Sequence, residues 1–310
     1  MIIRGRSTAD ETRETAPFDG VLLGTVLALT AIGAVMVYSA SAVTAGQQLG
    51  DGFHLFKRQL LAAGLGLGGL VLALRIGHRR LEALAYPLLA ATVVLLLLVL
   101  VPGIGKVAGG ARRWIDFGVL RFQPAELAKV ALVLYLARSI ARKREKMRLF
   151  SIGFLPHVLV TLVVVALCLA ERDLGTGVIL FVVLFAMLFA AGARVAWLLG
   201  AVLLSAPVVW HVIASTPYRR ERVLAFLDPW AYRDGVGFQL VESLLGIGNG
   251  GWFGQGLGQG KGKLFYLPAA PTDFIAAVIA EETGVVGMAV LLLLFGILMW
   301  RGFRAALNAS

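Results

Sequence analysis

The sequence predicts an all-α polytopic membrane protein, and three observations predict it. Of its 310 residues, 59% are hydrophobic and only 15% are charged. Mean hydropathy is +0.84. Apolar stretches of bilayer-spanning length recur along the chain, so a domain count from length would mislead, and one transmembrane domain over residues 1–310 is expected.

Eight spans are read in order. The first, residues 20–41, follows a polar N-terminus, "MIIRGRSTADETRETAP", without the short apolar core and small-residue site of a cleaved signal peptide. The second, 60–74, is short for a hydrocarbon core of ~30 Å and borrows the amphipathic lead-in "FHLFKRQLL", whose Lys57 and Arg58 can snorkel. The next five are 85–101, 125–141, 154–170, 175–191 and 195–214. The eighth is 272–300. The single cysteine, Cys168, lies inside the apolar run "LVTLVVVALCLA", where a packing role is expected of it.

Loop charge sets the orientation. "RIGHRR" (75–80) and "RSIARKREKMR" (138–148) are the densest basic clusters, and both fall inside if the N-terminus is cytoplasmic. The opposite side then carries the loops 41–59 and 101–123, a short "ERD" turn and the long stretch 216–271. Those loops are basic as well, with Arg112, Arg113, Arg121, Arg219, Arg220, Arg222, Lys261 and Lys263. Such charges serve as a solvated face or as contacts to lipid phosphates; as a set they suggest an outer-face anionic ligand. No nucleic acid is expected as a partner.

A structureless loop as long as 216–271 is uncommon, and this one holds two short helical patterns. "PYRRERVLAFLDPW" (217–230) suits an interfacial helix with Trp230 at headgroup depth. "GFQLVESLLGIG" (237–248) can form another. "GIGNGGWFGQGLGQGKG" (246–262) then holds nine glycines in seventeen residues, which lets backbone bend close to a ligand. Its G-x-G-x-x-G lacks the preceding strand and βαβ unit that dinucleotide binding needs.

Ionisable residues within the spans are functional suspects. Glu126 and Lys129 are three apart and share a helical face, which allows either a structural neutralising pair or part of a polar cavity. Glu281 and Glu282 follow Asp273 by about two turns. At roughly 100° per residue Glu281 lies about 80° from Asp273 and Glu282 lies opposite, so only Glu281 is expected to share a cavity with it. His54, His78, His157 and His211 show no metal-ligand spacing. "PTD" (271–273) reads as a helix start with Thr272 as N-cap, and a carboxylate that favours the helix dipole can also be a catalyst.

"MVYSAS" (36–41), "GARRWIDFGVLRFQPAELAK" (110–129), "DLGTG" (173–177), "GNGGWFGQGLGQGKGKLFYLP" (248–268) and "TDFIAAVIAEETGVVG" (272–287) together resemble the SEDS family of bacterial shape, elongation, division and sporulation proteins. The motifs occur in family order over nearly the whole chain, and their wording is closer to the division branch than to the elongation branch. Members usually have about ten helices, so the chain is expected to end before the last two. The family also commonly writes Glu and His near Ala269 and Pro271, where this chain departs.

The resemblance implies a peptidoglycan glycosyltransferase that polymerises lipid II on the outer face of the bacterial cytoplasmic membrane, with the aspartate matched by Asp273 essential. The chemistry suits the residues: an acceptor hydroxyl attacking an anomeric carbon needs a base, while a lipid pyrophosphate leaves without protonation. One carboxylate plus cations is then a sufficient kit. Asp273 is the expected base. Arg58, Arg112, Trp114, Glu126, Lys129, Arg219, Arg222 and Lys263 are the substrate-binding candidates. A divalent cation such as Mg or Mn could bridge pyrophosphate and carboxylate, though no ligand cluster establishes one. Implied partners are lipid II and the growing glycan strand, a class B penicillin-binding transpeptidase, and other membrane proteins of the division machinery. Two rival readings stay open: a lipid II flippase, which would need a hydrophilic path to the cytoplasmic side, and a non-catalytic scaffold, which leaves Asp273 without work.

Overall fold

The computed structural model describes residues 19–308 except Gly109, Phe117, Val119, Leu120, Thr216, Lys261 and 263–269. The chain forms two compact units, one of Met1–Gln59 with Arg233–Ser310, the other of Leu60–Tyr232.

In the first unit, helix α1 spans Gly20–Leu49. Asp19 caps it by accepting from the Leu22 amide at 3.0 Å. The helix runs past the expected end at residue 41 because "AVTAGQQL" stays helix-compatible until Gly50, which takes φ 72° and donates its amide to Gly46. Helix α2 (His54–Ile76) begins in this unit, where Tyr38 of α1 stacks on Phe53 at 5.0 Å and meets Phe56 edge-on. Its core joins Met36 and Ala40 to Ala270, Ala277, Val278 and Ile279.

The second unit contains α3 (His78–Leu100), α4 (Pro124–Arg142), α5 (Leu155–Ala170), α6 (Leu174–Ala190), α7 (Val195–Ala214) and α8 (Pro217–Leu227). Leu96, Leu132, Leu136, Val164, Cys168, Leu180 and Leu184 form its apolar centre. His157 on α5 ties down its own helix start and α4 together: one ring nitrogen meets the Gly153 carbonyl at 2.6 Å and the other the Ser139 hydroxyl at 2.9 Å. One feature departs from an all-α expectation. Strands β1 (Gly105–Ala108), β2 (Ala111–Asp116) and β3 (Arg121–Phe122) form an antiparallel sheet in that order. Arg112 opposes Val107 and Trp114 opposes Lys106, with a bulge between Lys106 and Val107. The turn-forming glycines and the run "ARRWID" favour a hairpin that hydropathy does not register.

Two further helices belong to the first unit, α9 (Phe238–Gly250) and α10 (Ile275–Asn308). Both α1 and α9 pack on α10. Among the described residues, five helices are long and apolar enough to cross a membrane: α1, α2, α3, Phe150–Ala170 and α10. Leu174–Ala190 and Val195–His211 are shorter apolar helices. The mostly helical, multi-pass class agrees with the sequence reading; α4 is not among the five.

Candidate functional site

The expected eighth span is not one continuous helix. Gly284 takes φ 66° and ψ −164° inside α10, which splits it into a half-helix before the break and a long segment after it. A break frees backbone groups that must be paired again at membrane depth. The glycine-rich segment supplies the partners. Gln255 and Gly256 donate amides to the carbonyls of Glu281 and Glu282 at 2.9 and 3.0 Å, while the amides of Val285 and Val286 reach the carbonyls of Gly251 and Trp252 at 2.9 and 3.1 Å. Glycine is required at Gly254 and Gly284, where φ is positive and a Cβ would meet the backbone of Glu282 and Trp252 respectively.

Both carboxylates just before the break are buried, at 2% and 1% exposure. Glu281 accepts the Gly262 amide at 3.1 Å. Glu282 accepts the Ser39 hydroxyl of α1 at 2.7 Å and the Gly258 amide at 3.0 Å. The glycine segment wraps the broken helix end, so carboxylates on different faces of the half-helix, Glu281 and Glu282, both reach it. Ser39 was not singled out from sequence; its only signal was the "MVYSAS" motif.

Asp273 sits in the turn before α10 and is exposed. The amides of Ala277 and Val278 bond to the carbonyl of Phe274, so the helix starts one residue after Phe274 and the cap position falls there rather than on Thr272. Among the described residues no hydrogen bond or ion pair holds the Asp273 carboxylate. Arg58, half-buried on the first turns of α2, is the other candidate in this unit. Nearby, the Lys57 ammonium, at 2.9 Å, and the Phe53 amide hold the Asp51 carboxyl below its ordinary range.

The second unit holds six more candidates. Arg112 and Trp114, two apart on β2, share a face of that strand. Glu126 and Lys129 form an ion pair of 2.8 Å on the first turns of α4. Arg219 and Arg222 lie on α8, where Phe226 and Leu227 are exposed, as an interfacial helix requires. Lys263 lies outside the described residues.

A polar cluster that sequence reasoning missed surrounds the "ERD" turn between α5 and α6. Arg113 donates from Nε to the Glu171 carbonyl at 3.3 Å and from Nη2 to the Arg172 carbonyl. Asp173 caps α6, accepting from Thr176 and, at 2.8 Å, from the Gln123 side chain. Glu171 is 1% exposed, and neither carboxylate oxygen has a hydrogen-bond partner among the described residues. Burial, reinforced by the Asp173 charge and opposed by Arg113, pushes its carboxyl up to about 8. The available signal was a three-residue polar break between two apolar runs. On the sheet, the Gly118 amide and then Lys106 hold Asp116 below the usual carboxylate range.

No group of three or more His, Cys, Asp or Glu stands ready to hold a metal among the described residues. Asp273 itself offers a single carboxylate.

The cell cycle protein family that takes in FtsW, RodA and SpoVE matches residues 20–310 of this chain. The probable peptidoglycan glycosyltransferase FtsW of Geobacter metallireducens is 45% identical over 298 residues, covering 96% of this chain and 80% of the relative. A chain from a peptidoglycan synthase complex that coordinates polymerization and crosslinking superposes with a TM-score of 0.74 at 35% identity, over 94% of this chain and 79% of that one. The rod shape determining protein RodA of Thermus thermophilus superposes with a TM-score of 0.65 at 33% identity, over 96% and 77%.

Proposed function

Because the chain belongs to the FtsW, RodA and SpoVE family of cell cycle proteins, we propose that it is a peptidoglycan glycosyltransferase of the FtsW type that polymerises lipid II during bacterial cell division. Asp273 carries this reading: it is an exposed carboxylate with no partner among the described residues, at the start of a half-helix whose far end is clamped by the glycine segment. Such a carboxylate can accept a proton from a substrate hydroxyl.

In the proposed reaction Asp273 takes the proton of the acceptor's sugar hydroxyl as that oxygen bonds to the donor's anomeric carbon. The bond from that carbon to the lipid pyrophosphate breaks on the opposite face, so configuration inverts, and the leaving group departs as an anion. Arg58, Arg112, Trp114, Glu126, Lys129, Arg219, Arg222 and Lys263 are proposed to hold the two substrates, the cations balancing charge on the diphosphate. The site lies on the outer face of the cytoplasmic membrane, the N-terminus inside and residues 216–271 outside. Likeness to a chain of a polymerizing and crosslinking complex supports pairing with a class B penicillin-binding transpeptidase.

Asp273→Asn tests the base directly. Asn cannot take the proton, so the variant should insert and bind lipid II normally yet polymerise it roughly 10² to 10⁴-fold more slowly. Near-normal polymerisation by inserted, lipid II-binding Asn variant would overturn the assignment.

A further inference from the structure

A pocket of about 320 Å³ opens in the second unit, lined by Leu100, Val107, Gly110, Arg112, Ala170 and Arg172. We propose that it binds the phosphate group of a phosphate- or diphosphate-bearing anion, gripped by Arg112 and Arg172 and flanked by the apolar side chains.

Four observations converge on it. Arg172 has φ 62°, the one non-glycine with positive φ among the described residues. Glycine would fill that turn without strain, so an arginine there points to a use for its side chain. The strained turn brings Nη1 of Arg172 to the Gly110 carbonyl at 3.1 Å, on the pocket wall. Arg112 donates Nη1 to the Leu100 carbonyl at 3.1 Å, while its Nε is buried with no acceptor among the described residues. An unsatisfied donor on a guanidinium that lines the pocket marks a side chain not fully spent on internal hydrogen bonds.

Charge balance gives the third observation. The hydrogen bonds of both guanidiniums go to neutral carbonyls, and neither makes an ion pair with a carboxylate among the described residues. Their positive charge is therefore uncompensated there. The carboxyl next in sequence, Glu171, is pushed up to about 8 by burial, so at neutral pH it is protonated and cancels neither arginine. Fourth, the lining itself is divided: guanidinium donors suit phosphate oxygens, and Leu100, Val107 and Ala170 suit an alkyl group attached to them. Arg113 holds the turn in place through the Glu171 and Arg172 carbonyls.

Arg112 is also among the residues proposed to hold the substrates, so this site rests on that reading and adds Arg172 and the pocket to it; its test measures binding rather than polymerisation, so the two can fail separately. The phosphate could come from a membrane lipid headgroup or from a soluble diphosphate. Inorganic pyrophosphate is titrated calorimetrically into the full chain in neutral detergent, and then into nanodiscs of phosphatidylglycerol or of phosphatidylcholine. Phosphatidylglycerol retained through delipidation is quantified in parallel. Arg172→Gly removes the guanidinium while relieving the backbone, so it should unfold no earlier than wild type. Arg112→Gln tests the second donor, and Arg144→Gln, an exposed site elsewhere, serves as control.

The expected result is at least a tenfold weakening of pyrophosphate binding, or an equal loss of retained phosphatidylglycerol, in Arg172→Gly and Arg112→Gln but not in Arg144→Gln. Pyrophosphate binding blocked in phosphatidylglycerol discs alone identifies a lipid headgroup as the occupant; binding that persists there identifies a soluble diphosphate. Equal binding by both variants and wild type, or no binding of either probe by wild type, overturns the proposal.

Discussion

Ser39 on α1 donates its hydroxyl to Glu282 on α10 across 243 residues of sequence, at 2.8 and 2.7 Å from the two carboxylate oxygens. The same side chain accepts the Gly258 amide, so one buried carboxyl group joins a helix, a helix break and the glycine segment. Glu282→Ala leaves those donors without that acceptor and should destabilise the protein by ~3 kcal/mol, more than the ~1–2 kcal/mol expected of Ser39→Ala. Glu282→Gln keeps an acceptor and should fall between. Unfolding midpoints of detergent-purified variants decide the order; a Glu282→Ala protein as stable as Ser39→Ala would mean that this carboxylate is no clamp.

The break itself rests on Gly284. Alanine there meets both a left-handed φ and the backbone of Trp252, so Gly284→Ala should cost on the order of 3 kcal/mol and lower the amount of inserted protein. Gly296, later in the same helix, has nothing within 4 Å of the place an added methyl would take, and Gly296→Ala should be neutral or mildly stabilising. Comparable accumulation of the two variants would show that the break tolerates a side chain.

Glu171 makes stability depend on pH. Its carboxyl ionises near 4.5 when unfolded but holds its proton up to about 8 in the fold. The folded state thus binds this proton more tightly, and the stabilisation is complete below about 4.5 and lost as pH rises through about 8. Glu171→Gln has no proton to lose. Its melting temperature should draw level with wild type near about pH 5 and exceed it by several degrees near about pH 9. A constant difference across that range would mean Glu171 is ionised in the fold.

The Glu126–Lys129 pair, 2.8 Å apart, is proposed as part of the substrate cavity, whereas Arg142 lies at the other end of α4 beside Glu82 at 3.9 Å. Lys129→Ala should therefore lower polymerisation of lipid II by roughly tenfold or more, and Arg142→Ala by less than about twofold. Equal activity in the two variants would return the pair to a purely structural role.

Much of this protein could be read from local pattern. Long apolar runs announced the helical membrane class, because a bilayer demands internally paired backbone over a set length. Spacing of three announced the Glu126–Lys129 pair, and a proline–threonine turn placed Asp273 at the threshold of a helix. The polar "ERD" break was visible, but nothing local said that Arg113, far earlier in the chain, would pin it and leave Glu171 buried.

What tertiary structure decided was wherever backbone leaves its period or a side chain reaches across sequence. Periodicity set Glu281 and Glu282 on different faces of one helix but could not supply the glycine segment that meets both, because that segment comes from elsewhere in the chain. Hydropathy sums side-chain transfer energies, and so it passed over the small sheet of β1, β2 and β3, whose cohesion lies in backbone pairing. Composition and periodicity record which groups can be buried; only the fold selects the partners that make burial of Glu281, Glu282 and the freed amides of α10 affordable, because those partners are hydrogen-bond donors and acceptors contributed by distant chain segments.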